Sequence, residues 1–367
     1  MSSGDAADER APQVALDPQA AALLDQLELQ NAPPIETLSP REARAGLVAS
    51  IGALGAAGEA VAQVEDISIP GPTGPLPVRI YTPDASGPLP LIAFFHGGGW
   101  VVGDLETHDT ICRALTNRAR CVVVSVDYRL APEHPYPAAV DDAYAAVEWM
   151  ATNASRLHGD ATRLVVAGDS AGGNLAAVVA LVAQDKGGPA LAAQALIYPV
   201  TNAASLDTGS YQAFSNGYLL TRNAMDWYRG HYLPREADRR HPYASPLLAD
   251  DLSRLPSTVV ATAGFDVLRD EGDAYAERLR QASVSVEHIR FSSMIHGFLN
   301  RGGILDQAQP ALDEIAAAVR AALTPSALLP GARYPITSRT SCHVKGVPSG
   351  NAAPTSVKGM RPSSSGL

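Results

Sequence analysis

Ser170 lies in a run of small residues, Gly168-Asp169-Ser170-Ala171-Gly172-Gly173, between an apolar stretch and a helix-forming stretch. A serine on a sharp strand-to-helix turn is typical of a nucleophile elbow, where crowding leaves no room for a Cβ at the flanking glycines. The helix that begins behind the serine also favours developing negative charge. Taken alone, the run is equally compatible with a serine that caps an ordinary helix.

A second run, His96-Gly97-Gly98-Gly99-Trp100, follows an apolar stretch that reads as a strand. Its bare backbone N–H groups could bind an oxyanion, and we expect the donors to be the amides of Gly97, Gly98 and Ala171. His96 is predicted to hold this loop through hydrogen bonds and not to act as a base. Both runs together, each at the end of a predicted strand, indicate acyl transfer by a serine nucleophile.

A serine hydroxyl is a weak nucleophile, so it needs a base, and the base needs an acid that orients it. His296 is the best candidate base among nine histidines because it follows the last predicted strand. Asp266 directly follows the seventh predicted strand and is the candidate acid. The chain order Ser170, Asp266, His296 is the order of α/β-hydrolase connectivity.

Other acids compete with Asp266 for the position beside the base. Asp270, Glu271 and Asp273 lie further along, where a helix is predicted to start, and we expect them to serve the helix dipole from its first turn. Asp127 precedes the serine and so breaks the required order, which predicts a structural role.

Eight short β-type segments alternate with helical segments after residue 60. The first two are predicted to form an antiparallel pair, and the remaining apolar runs are typical of parallel strands covered on both faces. The sequence thus predicts an α/β fold with a mostly parallel eight-stranded sheet. The predicted strands are Val64–Ile69, Leu76–Tyr81, Leu91–Phe95, Cys121–Val126, Leu164–Ala167, Ala195–Tyr198, Thr258–Ala261 and Val286–Phe291.

The domain prediction has three parts. Residues 1–60 are predicted to be helical, with Ser39 as an N-cap and Pro40 at the first helical position. Residues 61–322 form the catalytic domain, interrupted by an aromatic-rich insertion at about 202–245. We expect this insertion to meet the N-terminal helices and form a cap, the alternative being a surface excursion that packs on itself.

Residues 325–367 carry no Asp or Glu and are rich in Pro, Gly, Ser and Thr. This composition predicts a disordered tail, either native or added to the protein, with a basic docking segment as the alternative.

Four aromatic residues are predicted to line the acyl or alcohol pocket, with core packing as the alternative for each. They are Trp100, Phe214, Tyr218 and Phe298.

Composition restricts the partners. The 367 residues are 46% hydrophobic and 18% charged, which is ordinary for a globular protein. A net charge of −10 makes nucleic acid and anionic membranes poor partners. The N-terminus lacks the apolar run of a signal peptide, and no apolar stretch predicts a membrane span. The three cysteines have no metal-ligand spacing, so we expect reduced thiols in a cytoplasmic protein.

The combined motifs resemble the hormone-sensitive-lipase-like family of bacterial esterases (family IV), in its GDSAGG branch. The resemblance covers about residues 64–322 and weakens in the N-terminal helices. It implies an α/β-hydrolase fold with a helical cap, carboxylesterase activity on short acyl chains, a small-molecule ester as substrate, no metal or organic cofactor, and frequently a homodimer. The matching segments are His96-Gly97-Gly98-Gly99-Trp100, Asp127-Tyr128-Arg129-Leu130-Ala131-Pro132-Glu133, Gly168-Asp169-Ser170-Ala171-Gly172-Gly173, Asp266-Val267-Leu268-Arg269-Asp270-Glu271-Gly272 and His296-Gly297-Phe298.

Two alternatives to an esterase remain open on the same residues. A lactonase, an amidase or another acyl hydrolase would share the nucleophile and differ only in the cap and pocket. A ligand-binding protein on this fold, such as the plant gibberellin receptors that resemble the family, would lack the catalytic histidine. This chain has all three expected positions filled.

Overall fold

The computed structural model of the chain describes residues 14–324 and contains one eight-stranded sheet. Cys342, one of the three cysteines predicted to be reduced thiols, and the tail predicted from residue 325 lie outside these residues. The strands, β1 to β8 in chain order, are Gln63–Gly71, Gly74–Thr82, Leu89–Phe95, Val122–Val126, Gly159–Asp169, Ala193–Ile197, Ser257–Phe265 and Val286–Ile295.

The order of the strands across the sheet is β1-β2-β4-β3-β5-β6-β7-β8. β2 pairs antiparallel with both β1 and β4, while the six strands from β3 to β8 run parallel to one another. This confirms the predicted α/β fold and its mostly parallel sheet. β5 and β8 extend beyond their predicted ends, because Gly159 pairs with Leu89 and Ile295 pairs with Phe265 across register irregularities.

Helices cover both faces of the sheet, as predicted. Within the described residues the α-helices, α1 to α9, are Pro18–Gln30, Pro40–Leu54, Asp109–Ala119, Ala138–Thr152, Ala171–Lys186, Gly209–Ala213, Arg222–Tyr232, Arg269–Gln281 and Ala308–Leu323. One core cluster contains the buried faces of α4, α5 and α8, and a second contains those of α3 and α9. The two clusters lie on opposite sides of apolar strands, which bury side chains on both faces.

The N-terminal helices have the predicted start signal. Ser39 Oγ accepts a hydrogen bond from the Glu42 N–H at 3.3 Å, and the Ser39 N–H donates to Glu42 Oε2 at 2.9 Å, with Pro40 as the first helical residue. A short 3₁₀ turn at Ile35–Thr37 packs against α7, which belongs to the insertion at 202–245. The N-terminal segment and the insertion are therefore in contact with each other.

Membrane-spanning helices were not predicted from the sequence. Among residues 14–324, every helix is too short or too polar to cross a bilayer.

Candidate active site

The nucleophile elbow predicted at Ser170 forms between β5, which ends at Asp169, and α5, which begins at Ala171. Ser170 has φ 57° and ψ −118°, a conformation that costs free energy for a residue with a side chain and is concentrated at functional sites. A Cβ on Gly168 would lie 2.4 Å from the Gly172 backbone, and one on Gly172 would lie 1.9 Å from the Phe95 carbonyl oxygen. The predicted need for glycine on both sides of the serine is confirmed.

Ser170, His296 and Asp266 are joined by hydrogen bonds. His296 Nε2 lies 3.0 Å from Ser170 Oγ, and His296 Nδ1 lies 2.7 Å from Asp266 Oδ2. All three residues are buried, with Asp266 only 1% exposed. Its second oxygen, Oδ1, accepts the Leu268 N–H at 2.9 Å, which fixes the carboxylate. Because Asp266 holds the hydrogen on Nδ1, Nε2 is free to accept the proton of the serine hydroxyl.

The register of the last two strands brings the acid and the base together. Phe265 at the end of β7 pairs with Ile295 at the end of β8. Asp266 and His296 are the next residues on each strand, so both side chains start from the same edge of the sheet. Parallel strands present their carboxyl ends at one edge, where α/β proteins place their ligands.

The competing acids lie elsewhere. Asp270 and Glu271 are in the first turn of α8, as predicted, but both also accept backbone N–H groups of the segment after β6. Asp273 lies beyond the first turn and contacts His288 at 3.0 Å, so its predicted role at the dipole is wrong. Burial of Asp127 raises the pKa of its carboxyl, and Asp104 raises it further.

The structure corrects the predicted set of oxyanion donors. The Gly97 N–H already donates to Asp169 Oδ1 at 2.8 Å, and His108 Nε2 lies 3.2 Å from the same oxygen. Gly97 is therefore not a free donor. Among the described residues, no hydrogen bond uses the amides of Gly98, Gly99 or Ala171. The Gly99 N–H, which was not among the predicted donors, is thus without an acceptor in this part of the chain, whereas the Gly97 N–H has one.

The pairing of Asp169 with this loop was missed because the two partners are far apart in sequence. Burial by itself raises the pKa of the Asp169 carboxyl, but the adjacent His108 and the Gly97 N–H outweigh burial and lower it. Asp169 is therefore a buried anion whose charge depends on these partners. The only signal in the sequence was its position beside the serine.

His96 holds the glycine loop, as predicted. Its ring is fully buried and stacks on Tyr128 with centroids 4.3 Å apart. Burial and the neighbouring His108 lower its pKa to about 4, so the ring is neutral at pH 7. Nδ1 lies 2.8 Å from the Gly97 carbonyl oxygen and therefore carries the hydrogen and donates it.

Two of the four predicted pocket residues are in the core instead. Trp100 is 0% exposed and stacks on Tyr232 at 4.4 Å, and Phe298 is 0% exposed and packs on Phe291 at 5.2 Å. Core packing, the alternative stated above, applies to both, because tightly packed aromatic neighbours surround their rings.

Phe214 and Tyr218 lie close to the site. Both are partly exposed, and both pack on Phe265, with centroids 5.5 and 5.6 Å away, directly before the candidate acid Asp266. Tyr228 of α7 was one of the aromatic residues of the insertion but was not predicted to reach the site. A Cβ on Gly99 would lie 2.2 Å from its ring, so this tyrosine packs directly on the glycine loop.

Comparison with known proteins agrees with this geometry. A sequence family described as having the alpha/beta hydrolase fold matches residues 92–300. Carboxylic ester hydrolase LipN of Mycobacterium tuberculosis is 48% identical over 267 residues, which cover 71% of this chain and 71% of that protein. Ethyl acetate hydrolase of Pseudomonas putida is 37% identical over 310 residues, covering 82% of this chain and 96% of that protein.

Solved structures are similar over nearly the same length. A hyperthermophilic esterase from the archaeon Pyrobaculum calidifontis superimposes with a TM-score of 0.81 at 42% identity, covering 85% of this chain and all of that one. A thermostable esterase from Pseudomonas putida gives a TM-score of 0.82 at 38% identity, covering 84% of this chain and 98% of that one.

Proposed function

Since this chain belongs to the hormone-sensitive-lipase-like α/β-hydrolase family and is a carboxylesterase, we propose that it cleaves short-chain acyl esters with Ser170, His296 and Asp266. The observation that carries this proposal is the pair of hydrogen bonds, 3.0 and 2.7 Å, that joins the three side chains in the order hydroxyl, imidazole, carboxylate. A nucleophile, a base and an orienting acid within hydrogen-bond reach are what acyl transfer requires.

The first half of the reaction forms an acyl-enzyme. His296 Nε2 takes the hydroxyl proton while Ser170 Oγ attacks the ester carbonyl carbon. Asp266 keeps the imidazole oriented and stabilises its charged form. The tetrahedral intermediate collapses, the bond to the alcohol oxygen breaks, and His296 returns its proton to the leaving alcohol.

The second half frees the acid. A water molecule gives a proton to His296 and attacks the acyl carbon, and collapse of that intermediate returns the proton to Ser170 Oγ. In both halves the negative charge on the former carbonyl oxygen needs donors. The amides of Gly98, Gly99 and Ala171 are the proposed donors because no acceptor among the described residues occupies them.

The proposed preference for short acyl chains rests on two supports. The aromatic side chains of Phe214, Tyr218 and Phe265 pack against one another directly before the acid Asp266. One relative is named for the hydrolysis of ethyl acetate, a short ester. A lactonase or amidase would use the same three side chains and remains the second candidate, and the homodimer is likewise a proposal from the family resemblance.

The test is an activity series on p-nitrophenyl esters with the wild type and Ser170→Ala. The wild type is expected to hydrolyse the short esters, from acetate up to hexanoate, faster than the long esters, from laurate up to palmitate. The variant should fold normally and lose at least about 10⁴-fold in kcat, because the nucleophile is gone. A folded Ser170→Ala protein with substantial esterase activity would overturn the mechanism. A preference for long chains, lactones or amides would overturn the substrate class.

A further inference from the structure

Glu271 carries a buried carboxyl group that takes no part in the steps of the proposed reaction. It lies in the first turn of α8 and is 1% exposed. Its Oε1 accepts the N–H groups of Thr201 and Asn202 at 2.7 and 3.1 Å, and its carbonyl oxygen accepts the Thr201 hydroxyl at 2.8 Å. Three hydrogen bonds thus tie α8, which begins just after the acid Asp266, to the segment after β6.

The same segment is bound to the nucleophile on its other side. The Val200 N–H donates to the Ser170 carbonyl oxygen at 3.2 Å. Asn174 of α5 donates from Nδ2 to the carbonyl oxygens of Val200 and Ala244, both at 3.0 Å. Residues 200–202 therefore connect the turn of the serine with the helix behind the acid.

Both ends of the insertion at 202–245 meet at this segment. The carbonyl oxygens of Ala244 and Val200 accept hydrogen bonds from the same Asn174 amide group. The Leu247 N–H donates to the Thr201 carbonyl oxygen at 2.9 Å. The Ala203 N–H donates to Ser245 Oγ at 2.8 Å. A change in the position of Thr201 would thus move the insertion relative to the nucleophile.

The surroundings of Glu271 disfavour its charged form. Burial, with a smaller contribution from Asp266, raises its pKa to about 8 against the opposing effect of the Thr201 and Asn202 amides. Its Oε2 has no hydrogen-bond partner among residues 14–324. The titratable side chains that interact with its charge are Asp266 and Tyr211 of α6, and Tyr211 in turn interacts with Arg222 and Arg229 of α7.

We propose that Glu271 is a positioning residue that holds the segment 200–202 so that Ser170 and Asp266 keep the spacing that His296 must bridge. This inference rests on the proposed function, since it concerns the geometry of the same three side chains. Ionisation at alkaline pH puts a negative charge in a buried site beside Asp266, and the segment shifts to let water reach it. Misplacement of reacting groups lowers kcat more than it raises KM.

The experiment measures kcat and KM for p-nitrophenyl butyrate from pH 6 to 10 on the full chain. Glu271→Gln keeps an oxygen acceptor and cannot ionise, whereas Glu271→Met has a similar length and no acceptor. Glu277→Gln is the matched control, because Glu277 is an exposed carboxylate on the same helix. Wild type and Glu277→Gln should show kcat falling as pH rises through about 8.

Glu271→Gln should keep the wild-type kcat at pH 7 and lose the alkaline decline. Glu271→Met should lose on the order of 10²-fold in kcat at every pH, with a small change in KM. An unchanged alkaline decline in Glu271→Gln, or a wild-type kcat in Glu271→Met, would overturn the proposal. If the Met variant does not fold, the Gln variant alone decides.

Thermal unfolding gives a second readout that needs no catalysis. Folded Glu271 keeps its proton up to about pH 8, while the unfolded chain releases it above about 4.5, so the wild-type Tm should fall as pH rises between these values. Glu271→Gln should show a smaller fall over the same range, and an identical slope in both proteins would count against the neutral form. An active Ser170→Ala protein would instead refute the proposed function, so the two failures are distinguishable.

Discussion

Neighbouring glycines of the loop before Trp100 differ in what their amides already bind. The Gly97 N–H is used by Asp169, whereas no acceptor among the described residues takes the N–H of Gly98 or Gly99. Gly99 also has φ +58° and lies against the Tyr228 ring, so it cannot carry a side chain without moving its peptide group or α7. The chemical role of this loop therefore depends on individual peptide groups and not on the glycine run as a whole.

Gly99→Ala should lower kcat by about 10²–10³-fold, the usual cost of losing one oxyanion donor, with a smaller change in KM. The measurement is steady-state kinetics on p-nitrophenyl butyrate, with thermal unfolding to confirm folding. Gly230→Ala is the control, because a Cβ at this position of α7 meets nothing within 4 Å. A wild-type kcat in Gly99→Ala would exclude its amide from the oxyanion site.

Arg44 of α2 makes several hydrogen bonds to the catalytic part of the chain. Arg44 donates from Nε to the Val101 carbonyl oxygen at 2.8 Å and from Nη2 to the Ala131 carbonyl oxygen at 3.0 Å. It also forms a two-point ion pair with Glu133, at 2.8 and 2.6 Å. Ala131 belongs to the Asp127–Glu133 motif, and Val101 directly follows the His96–Trp100 motif, so Arg44 binds α2 to both loops.

Arg44→Met should lower the free energy of unfolding by about 1–3 kcal/mol, because two carbonyl groups lose a charged donor. It should also lower kcat/KM, since the Val101 end of the glycine loop becomes less restrained. Chemical denaturation and the butyrate assay measure the two effects. Arg41→Met, at an exposed position on the same helix, should change neither, and identical behaviour of the two variants would contradict the anchoring role.

At the scale of the whole molecule, the compact catalytic unit ends with α9. This helix packs on β6, β7, β8 and α3 and buries Leu312, Ile315 and Val319. Ser170, His296 and Asp266, the glycine loop and both ends of the insertion all lie within the described part of that unit, residues 14–324.

Deleting residues 326–367 should leave Tm and kcat/KM unchanged, because the hydrogen bonds that join Ser170, His296 and Asp266 are made among residues 14–324. Differential scanning calorimetry and the p-nitrophenyl ester series check this. Deletion from Ala308 onward, which removes α9 and its buried face, should abolish folding. A large loss of activity in the shorter deletion would show that the tail contributes to the site.

The sequence by itself determined the features that depend on local chemistry. Apolar runs of strand length, the helix start at Ser39 and the turn at Ser170 depend only on residues that are close in sequence. The eight strands, the capped helix and the strained turn were therefore predictable. The placement of Asp266 and His296 after successive strands of a parallel sheet also follows from order alone. Strand ends such as Ile295 were not predictable, since they depend on register irregularities.

Only the tertiary structure decided which polar groups are already occupied. The Gly97 amide is taken by Asp169, 72 residues away, and Thr201 is held by Glu271, 70 residues away. Trp100 and Phe298 are in the core because neighbours distant in sequence cover them. Competition for hydrogen bonds and burial are set by which groups meet in space, and spacing along one chain does not contain that information.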